Sequence, residues 1–420
     1  MWHALSRPDV YRAAIDRLIR GAEHGDDGEI ALLQRERGEL ARRLARDMAA
    51  RRWTQQPVRR GFALLDKRRE LVKLDTVDKV VHGAVGAVLS RELERVLPAS
   101  LYSYRRGRGP GHVVHAVRAL LRSYRRRPVP LTERGLFVVR FDVAAYGDSL
   151  PVGPDSELWT MLRDALPGED PWLLDTIAAM IRCDAGAAEP RQVGVPTGSP
   201  IANPVVNLYL VDLDRELEAI AALYLRFGDD CLVICETAEA AAHARGILEA
   251  TLARKRLRVN PGKLLARYWN AAGRPGPAGW RGASHVSYVG ADIAFSGTVR
   301  AKLDRRKACL DAIRARIAAI GGLLGPRDGT AARARAAALC ASLAPAFDPA
   351  SALAVPEVAH LMRLSSCRTQ LAEMDHAIAI AVAGEATGRR GPAAFRALPW
   401  RTLHELGLPS LVRMRNQGHR

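Results

Sequence analysis

The chain has 420 residues, 48% of them hydrophobic, with 63 Lys and Arg against 45 Asp and Glu, a formal net charge of +18. That length and apolar content exclude a disordered chain and leave room for two or three domains with a sizeable core. The basic excess favours a polyanionic partner, nucleic acid first among them.

Residues 1 to about 60 read as helical and highly charged, with Leu32, Leu33, Leu40, Leu44 and Met48 at roughly helical spacing. The opening MWHALSRPDVYRAAIDRLIR reads as an amphipathic helix without the apolar core of a signal peptide. No apolar run reaches membrane-spanning length, and the six cysteines include no C-x-x-C pair. These features lead us to expect a cytoplasmic protein without a membrane or zinc-finger element. Cys231 and Cys235 fall on one face of a strand and read as small core residues.

After TQQPVRRG, the stretch LLDKRRELVKLDTVDKVV alternates like a strand and then turns helical, ending before Pro98. A Gly/Arg loop, SYRRGRGPG, feeds a basic helix. LFVVRFDV, residues 136–143, is a buried strand rich in β-branched and aromatic residues. Helix is expected over roughly 155–182, then a GVPTGSP loop, then a helix that Asn203 caps and Pro204 opens. RFGDDCLVIC gives strand Tyr224–Phe227, a tight Gly-Asp turn and strand Asp230–Cys235. A further helix, the turn VNPGK and one strand, VSYVGADIAF, follow. Beyond about residue 300 the pattern is helical: Leu310, Ile313, Ile317, Ile320 and Leu324 are three and four apart. The end, LPWRTLHELGLPSLVRMRNQGHR, combines an apolar patch (Trp400, Leu403, Leu406, Leu408), expected to pack, with an exposed basic end.

Asp142 ends one strand and Asp229 and Asp230 sit at the turn of the hairpin. If the hairpin pairs beside that strand, three carboxylates meet at one sheet edge, where uncompensated anions repel. Divalent cations relieve this: Mg²⁺ takes a few carboxylate oxygens together with phosphate oxygens and water. Two such ions can activate an attacking hydroxyl and stabilise a leaving pyrophosphate. An isolated Gly-Asp-Asp is more often a plain turn, so the order of surrounding motifs decides.

That order resembles bacterial reverse transcriptases of the group II intron type over roughly residues 55–300. RELVKLDTVDKVV is similar to the first fingers motif, with Arg69 and Asp78 in place and Lys79 where Arg is usual. YSYRRGRG, FDVAAYGDSL, GVPTGSPIANPVVNLYLVDLD, YLRFGDDCLVI, VNPGK and SYVGADI resemble the successive segments. The resemblance implies an α+β right-hand polymerase: a helical N-terminal extension (1–60), fingers and palm with an antiparallel sheet (61–300), and an all-α thumb and C-terminal region (301–420). It implies catalytic Asp142, Asp229 and Asp230, with Val143 as a further metal ligand for two Mg²⁺ ions, Mn²⁺ being a substitute. Arg69, Tyr146, Gly147, Thr197, Gly198 and Lys263 would line the nucleotide, and Arg105, Arg106 and Arg108 would touch template or triphosphate. Lys73 and Lys79 read more simply as solvated faces.

Three departures surround the nucleotide pocket. The family's bulky aromatic, five residues after the metal Asp, is Gly147 here, with Tyr146 just before it. The usual Pro-Gln-Gly is Pro196-Thr197-Gly198, and the later Ser-Pro is Ala202-Asn203. Either Tyr146 fills the sugar gate through a local shift, or the gate is open. The sequence lacks a Cys/His endonuclease cluster, the S-Q form of the loop and the retron signatures. What remains resembles stand-alone, defence-associated (abortive-infection-type) reverse transcriptases. The reading is RNA-directed DNA polymerisation in antiviral (phage) defence, with RNA template, DNA or RNA primer, dNTPs, and a dedicated noncoding RNA or neighbouring-gene protein as partners. Two alternatives stay open: a template-independent or rNTP-using polymerase, and a maturase-like RNA-binding protein without catalysis.

Overall fold

The computed structural model describes residues 1–21, 27–64, 68–128, 130, 134–184, 189–325 and 332–417; the side chains of Asp27, Arg60 and residues 62–70 lie outside that description. The fold is α+β, as expected. It divides into two compact units, one of Met1–Arg108 with Phe137–Ala266, the other of Gly109–Leu136 with Arg267–Arg420. These units cut the chain elsewhere than at residues 60 and 300.

The first unit opens with helices Trp2–Leu5, Pro8–Gly21 and Asp27–Ala49. Tyr11, Ile15, Leu33, Leu40, Leu44 and Met48 are buried, so the helical spacing seen in the sequence marks a core face, whereas Leu32 falls off it and is exposed. Strands β1 (Arg59–Leu64) and β2 (Arg68–Lys73) form an antiparallel pair. Helix Thr76–Leu93 follows, capped by the Asp75 carboxylate, which accepts from the Val77 N–H.

Asp78, in the first turn of that helix, is buried, and its Oδ2 accepts the Gln56 N–H at 2.9 Å. Burial raises its pKa from 3.8 to about 6. Between those values the folded chain keeps a proton that the unfolded chain has lost, so stability falls as pH rises through that window. Asp78→Asn is expected to flatten this fall, measured as melting temperature at steps from pH 4 to 7. An unchanged pH profile would mean that Asp78 is not the group responsible.

β3 (Leu136–Asp142), β4 (Leu223–Phe227) and β5 (Asp230–Cys235) build the sheet that matters for the site. β5 pairs antiparallel with both β3 and β4. β3 is buried on both faces except at Arg140, as its run of Phe and Val requires. The helix expected over 155–182 is two helices, Glu157–Ala165 and Pro171–Ile181. Pro167-Gly168 lies between them, and Gly168 has φ 75°.

Asn203 is not a helix cap. The next helix starts at Ala202 with Ile201 before it, no side chain caps it, and a break at Leu210 separates Ala202–Tyr209 from Val211–Ile220. Helix Ala238–Arg254 packs against β5.

The second unit contains helix Pro110–Arg125, then the Arg267–Trp269 part of strand β6 (Leu265–Trp269), which runs parallel to β7 (Gly282–Ala283). The single strand expected over VSYVGADIAF is a hairpin: β8 (His285–Tyr288) and β9 (Ala291–Ala294), with β10 (Val299–Ala301) on the far side of β9. The reversal falls at Val289 and Gly290, with φ 44° and 82°. Helices complete the unit. Arg368–Thr387 packs against Leu303–Leu323, Ala332–Leu343, Pro392–Ala397 and Leu411–Gln417. Ile313, Ile317 and Ile320 are buried, and so are Leu403, Leu408 and Leu411 near the C-terminus, whereas Arg413 is exposed. The buried Asp375 fastens the last helix through Ser410 Oγ (2.6 Å) and the Leu411 N–H (2.7 Å).

Candidate active site

Gly228 and Asp229 form the two-residue turn between β4 and β5. Phe227 is the partner of Asp230 across it, and Gly228 takes φ 70°, which a side chain resists. β3 lies on the other side of β5 in the register Asp142↔Asp230. The Val143 N–H donates to the Asp229 carbonyl at 3.0 Å. The three carboxylates therefore come to one end of β3 and β5, from strands whose apolar residues fix the register.

Like charges facing one another across a sheet repel. Burial first, and then the Asp142 carboxylate, raises the Asp229 pKa. Burial also raises that of Asp230, although Arg140 opposes the shift. The compensation is specific. Arg140 grips Asp230 as a two-toothed fork, Nε to Oδ1 at 2.9 Å and Nη2 to Oδ2 at 2.7 Å. Lys263 Nζ donates to Asp142 Oδ2 at 2.8 Å, and Asn260 Nδ2 lies 3.3 Å from Oδ1. The Asn260 N–H also donates to the Asp142 carbonyl at 2.8 Å, so the Asn260–Lys263 turn is pinned to the end of β3.

Among the described residues, no three His, Cys, Asp or Glu side chains are gathered into a metal-ligating cluster. Arg140, itself largely buried, holds both oxygens of Asp230, whereas Asp142 is engaged by the exposed, flexible Lys263, so Asp142 and Asp229 are the carboxylates best placed for a cation. Mg²⁺ needs only one or two carboxylates when substrate phosphates supply the rest, so this donor set fits. Val143 is fully buried beside Asp142, with its N–H occupied as above.

Beneath the turn lies a network that the sequence did not announce. Arg226 and Asp214 are both fully buried, joined Nε to Oδ1 at 2.7 Å and Nη2 to Oδ2 at 2.6 Å. Arg226 also donates to the carbonyls of Asn207 (2.8 Å) and Gly228 (3.3 Å). The Tyr224 hydroxyl donates to Asp214 at 2.8 Å, and Ser103 Oγ accepts the Gly228 N–H at 2.8 Å. Burial disfavours the guanidinium charge, but Asp214 outweighs that and holds the Arg226 pKa above its ordinary value.

The residues around the nucleotide meet different fates. Tyr146 is 5% exposed and its hydroxyl donates to the Val206 carbonyl at 2.6 Å. It is a core residue, correcting its assignment to the nucleotide: Ala145, at φ 46°, turns the ring inward. Gly147 lies partly open, and a Cβ there would meet only Val195 Cγ2 at 3.7 Å. The Gly147 carbonyl accepts the Val195 N–H (2.8 Å) and the Thr197 carbonyl accepts the Val72 N–H (3.0 Å). Gly147, Thr197 and the exposed Gly198 are thereby tied to one loop beside β2. Gly194 in that loop has φ 83°, and a Cβ would stand 2.9 Å from the Asp148 carbonyl oxygen. Arg69 lies on β2, with its side chain outside the described residues.

Arg105 is not available to nucleic acid. It is buried and spends its guanidinium on Glu94 and on the carbonyls of Pro98 (2.5 Å) and Leu101 (2.9 Å). Arg108 likewise donates to the Ala99 carbonyl (2.6 Å) and lies over the Tyr102 ring. Of the three arginines, only Arg106 is exposed. Lys79 pairs with Glu29 at 3.1 Å, in keeping with a solvated helix face. A residue missed in the sequence, His82, is buried between Ser199 Oγ (2.7 Å) and Gln55 Oε1 (3.0 Å), and burial lowers its pKa to about 4. It anchors the 194–200 loop as a neutral ring. Arg140 and Asn260 were also missed. For Arg140 the signal was present: a charge two residues before Asp142, on the same face of an otherwise apolar strand.

Residues 132–293, short of half the chain, match the family described as reverse transcriptase (RNA-dependent DNA polymerase). No curated protein matches. Among solved structures, the chain is similar to telomerase from Candida albicans in complex with a TWJ fragment of telomeric RNA, at 11% identity and TM-score 0.47, covering 88% of this chain and 67% of that one. It is also similar to apo telomerase from Candida tropicalis, at 13% identity and TM-score 0.47, covering 84% of this chain and 66% of that one. A form of the latter truncated of its C-terminal domain gives 13% identity and TM-score 0.44, over 59% of this chain and 56% of that one. The chain spans about two thirds or less of the length of these proteins.

Proposed function

We propose that this chain, an RNA-directed DNA polymerase by its reverse transcriptase domain at residues 132–293, adds nucleotides to a primer at Asp142 and Asp229. The supporting observation is the cross-strand meeting of Asp142 with the Gly228–Asp229 turn, together with Lys263 on the Asp142 carboxylate. Asp142 and Asp229, with the Val143 carbonyl, would hold two Mg²⁺ ions. Bound there, the ions would make the primer hydroxyl a better nucleophile and stabilise the leaving pyrophosphate.

The chain's own residues supply the rest. Arg140 keeps Asp230 charged and oriented. Lys263 is half-exposed on a flexible stem, so it can leave Asp142 for a triphosphate oxygen and offset the charge of the leaving group. The 194–198 loop and β2 form the side on which base and sugar would rest. The finer role, phage defence with RNA template and a DNA or RNA primer in the cytoplasm, rests on the resemblance to stand-alone defence-associated enzymes. No helix among the described residues is long and apolar enough to cross a membrane. The test of the role is phage plating on cells making the wild type or Asp229→Asn. Equal protection by both would favour an RNA-binding role without catalysis.

A second reading is favoured by one observation: Tyr146 is turned into the core, and Gly147 leaves the sugar side without an aromatic wall. Relaxed selection between dNTPs and rNTPs follows. Gly147 has room for a side chain, so Gly147→Phe is expected to raise discrimination against rNTPs by roughly ten- to a hundredfold, the range of one shape contact. The measurement is the ratio of kcat/KM for dNTP and rNTP in single-nucleotide extension. A ratio unmoved by the ring would place the sugar elsewhere.

A further inference from the structure

The second unit carries a basic groove that no catalytic role uses. One cleft, of about 1080 Å³, is lined by Arg122, Arg125, Arg126 and Arg300, with His285 at its side. A second, of about 350 Å³, is lined by Arg118, Arg368 and Arg415. The two share Ser296 and Thr298, so they form one elongated trough. Its floor is built: Phe295 is 1% exposed, edge-on to both Trp269 and Tyr124.

Charge in the trough is nearly all of one sign. Among the lining residues the one carboxylate is Asp292, which already accepts the Ser287 hydroxyl. Among the described residues, Arg118, Arg122, Arg126, Arg300, Arg368 and Arg415 form no ion pair with a carboxylate, unlike Arg105, Arg140, Arg226 and Arg254 of the first unit. Arg118 and Arg415 are driven below the ordinary arginine pKa by burial and then by neighbouring arginines, Arg122 acting on the former and Arg118 on the latter. Arg118, Arg122 and Arg125 are spaced four and three along helix Pro110–Arg125, which puts them on one face in a row. Arg125 donates to the Ser296 carbonyl and Arg415 to the Met362 carbonyl (3.3 Å), while Arg118, Arg122, Arg126 and Arg368, over the aromatic floor and without a carboxylate partner among the described residues, are placed to engage a chain of phosphates.

All seven arginines of this wall lie outside residues 132–293, in the helix before the matched domain and the segments after it. We infer that the trough between helix Pro110–Arg125, the Phe295–Thr298 turn and the C-terminal helices binds the phosphodiester backbone of a single-stranded RNA segment other than the one being copied. Number favours an RNA strand over a phosphopeptide: seven arginines lining the trough exceed what one or two phosphates can engage.

The test compares two triple variants of equal charge in the full chain. Arg122→Gln/Arg126→Gln/Arg368→Gln removes three exposed arginines of the trough. Arg42→Gln/Arg43→Gln/Arg46→Gln removes three exposed arginines of helix Asp27–Ala49. The probe is a 5′-labelled oligouridylate of about twenty nucleotides, read by fluorescence anisotropy over a salt series. The trough triple is expected to weaken binding about tenfold or more, and to lower the slope of log K against log salt by about two, given roughly 0.7 per phosphate contact on single strands. The control triple should change affinity by less than about twofold, and melting curves should be alike. Extension of a short preannealed primer–template should survive in the trough triple, which separates this site from the aspartates. Equal weakening by both triples would overturn the inference, leaving only diffuse charge. Displacement of the RNA by polyglutamate as readily as by unlabelled RNA would overturn the nucleic-acid assignment.

Discussion

Asp229→Asn is expected to lower primer extension by about a thousandfold or more, and Asp142→Asn by as much. A metal-type contact contributes several kcal/mol to the transition state, and each ~1.4 kcal/mol is tenfold in rate. The change keeps the shape of the side chain and removes one charge. Because burial and Asp142 already raise the Asp229 pKa, the fold gains from the loss of that charge. Melting temperature should therefore hold or rise while synthesis disappears. Asp230→Asn should behave differently. Its carboxylate is engaged by Arg140, so the change removes the charge that this largely buried guanidinium pairs with on β5. More of its effect is expected in stability, and less in the chemical step, than for Asp229. The assay is single-turnover extension with Mg²⁺ beside thermal melts of all three variants. Undiminished synthesis by Asp229→Asn would remove the metal assignment outright.

Arg226→Ala is expected to be the most damaging change to the first unit away from the aspartates. Breaking a buried ion pair from one side leaves the other charge uncompensated, at a cost of about 3–5 kcal/mol, against a total stability of roughly 5–15 kcal/mol for a domain. Asp214 would keep only the Tyr224 hydroxyl from the contacts described above, and the Gly228 and Asn207 carbonyls would lose a donor. The double change Arg226→Met/Asp214→Leu removes both charges and should recover part of the loss, but not all of it, because those carbonyls stay unmet. Urea unfolding of the wild type, the single variant and the double variant measures this. A loss below about 1 kcal/mol in the single variant would show that the pair does not hold the turn in place.

The parts of the fold most legible in the sequence were those where apolar pattern and turn chemistry agree. β3, the Gly228–Asp229 turn and β5 fall within a residue of the positions read from Phe, Val, Ile and Gly-Asp. The meeting of Asp142 with Asp230 followed from that register. What could not be read was where long polar side chains end. Arg105 and Arg108 stand in a loop that looks made for phosphates, yet their forks close on backbone carbonyls a few residues away. Tyr146 and Gly147 are neighbours in sequence, and a single left-handed residue, Ala145, decides which of them faces inward. Arg226 looked like one more basic residue of a basic protein. Only its partner Asp214, twelve positions earlier on a helix, makes it a core residue. The hairpin of β8 and β9 was hidden because Val289 breaks the usual rule that β-branched residues avoid positive φ.

The second unit is built from two stretches of chain, Gly109–Leu136 and Arg267–Arg420, and helix Pro110–Arg125 packs on helix Pro356–Leu364. During synthesis the earlier helix leaves the ribosome well over two hundred residues before its partner exists. At ordinary elongation rates the wait is on the order of ten to fifty seconds. Throughout it, the apolar side of the helix, Val113, Val114, Val117 and Leu121, has no final neighbour. A nascent chain in that state is open to chaperone capture, and its arginine row is open to whatever RNA is nearest. The same topology governs dissection: a fragment starting at Arg267 would lack this helix and leave the face of Pro356–Leu364 bare.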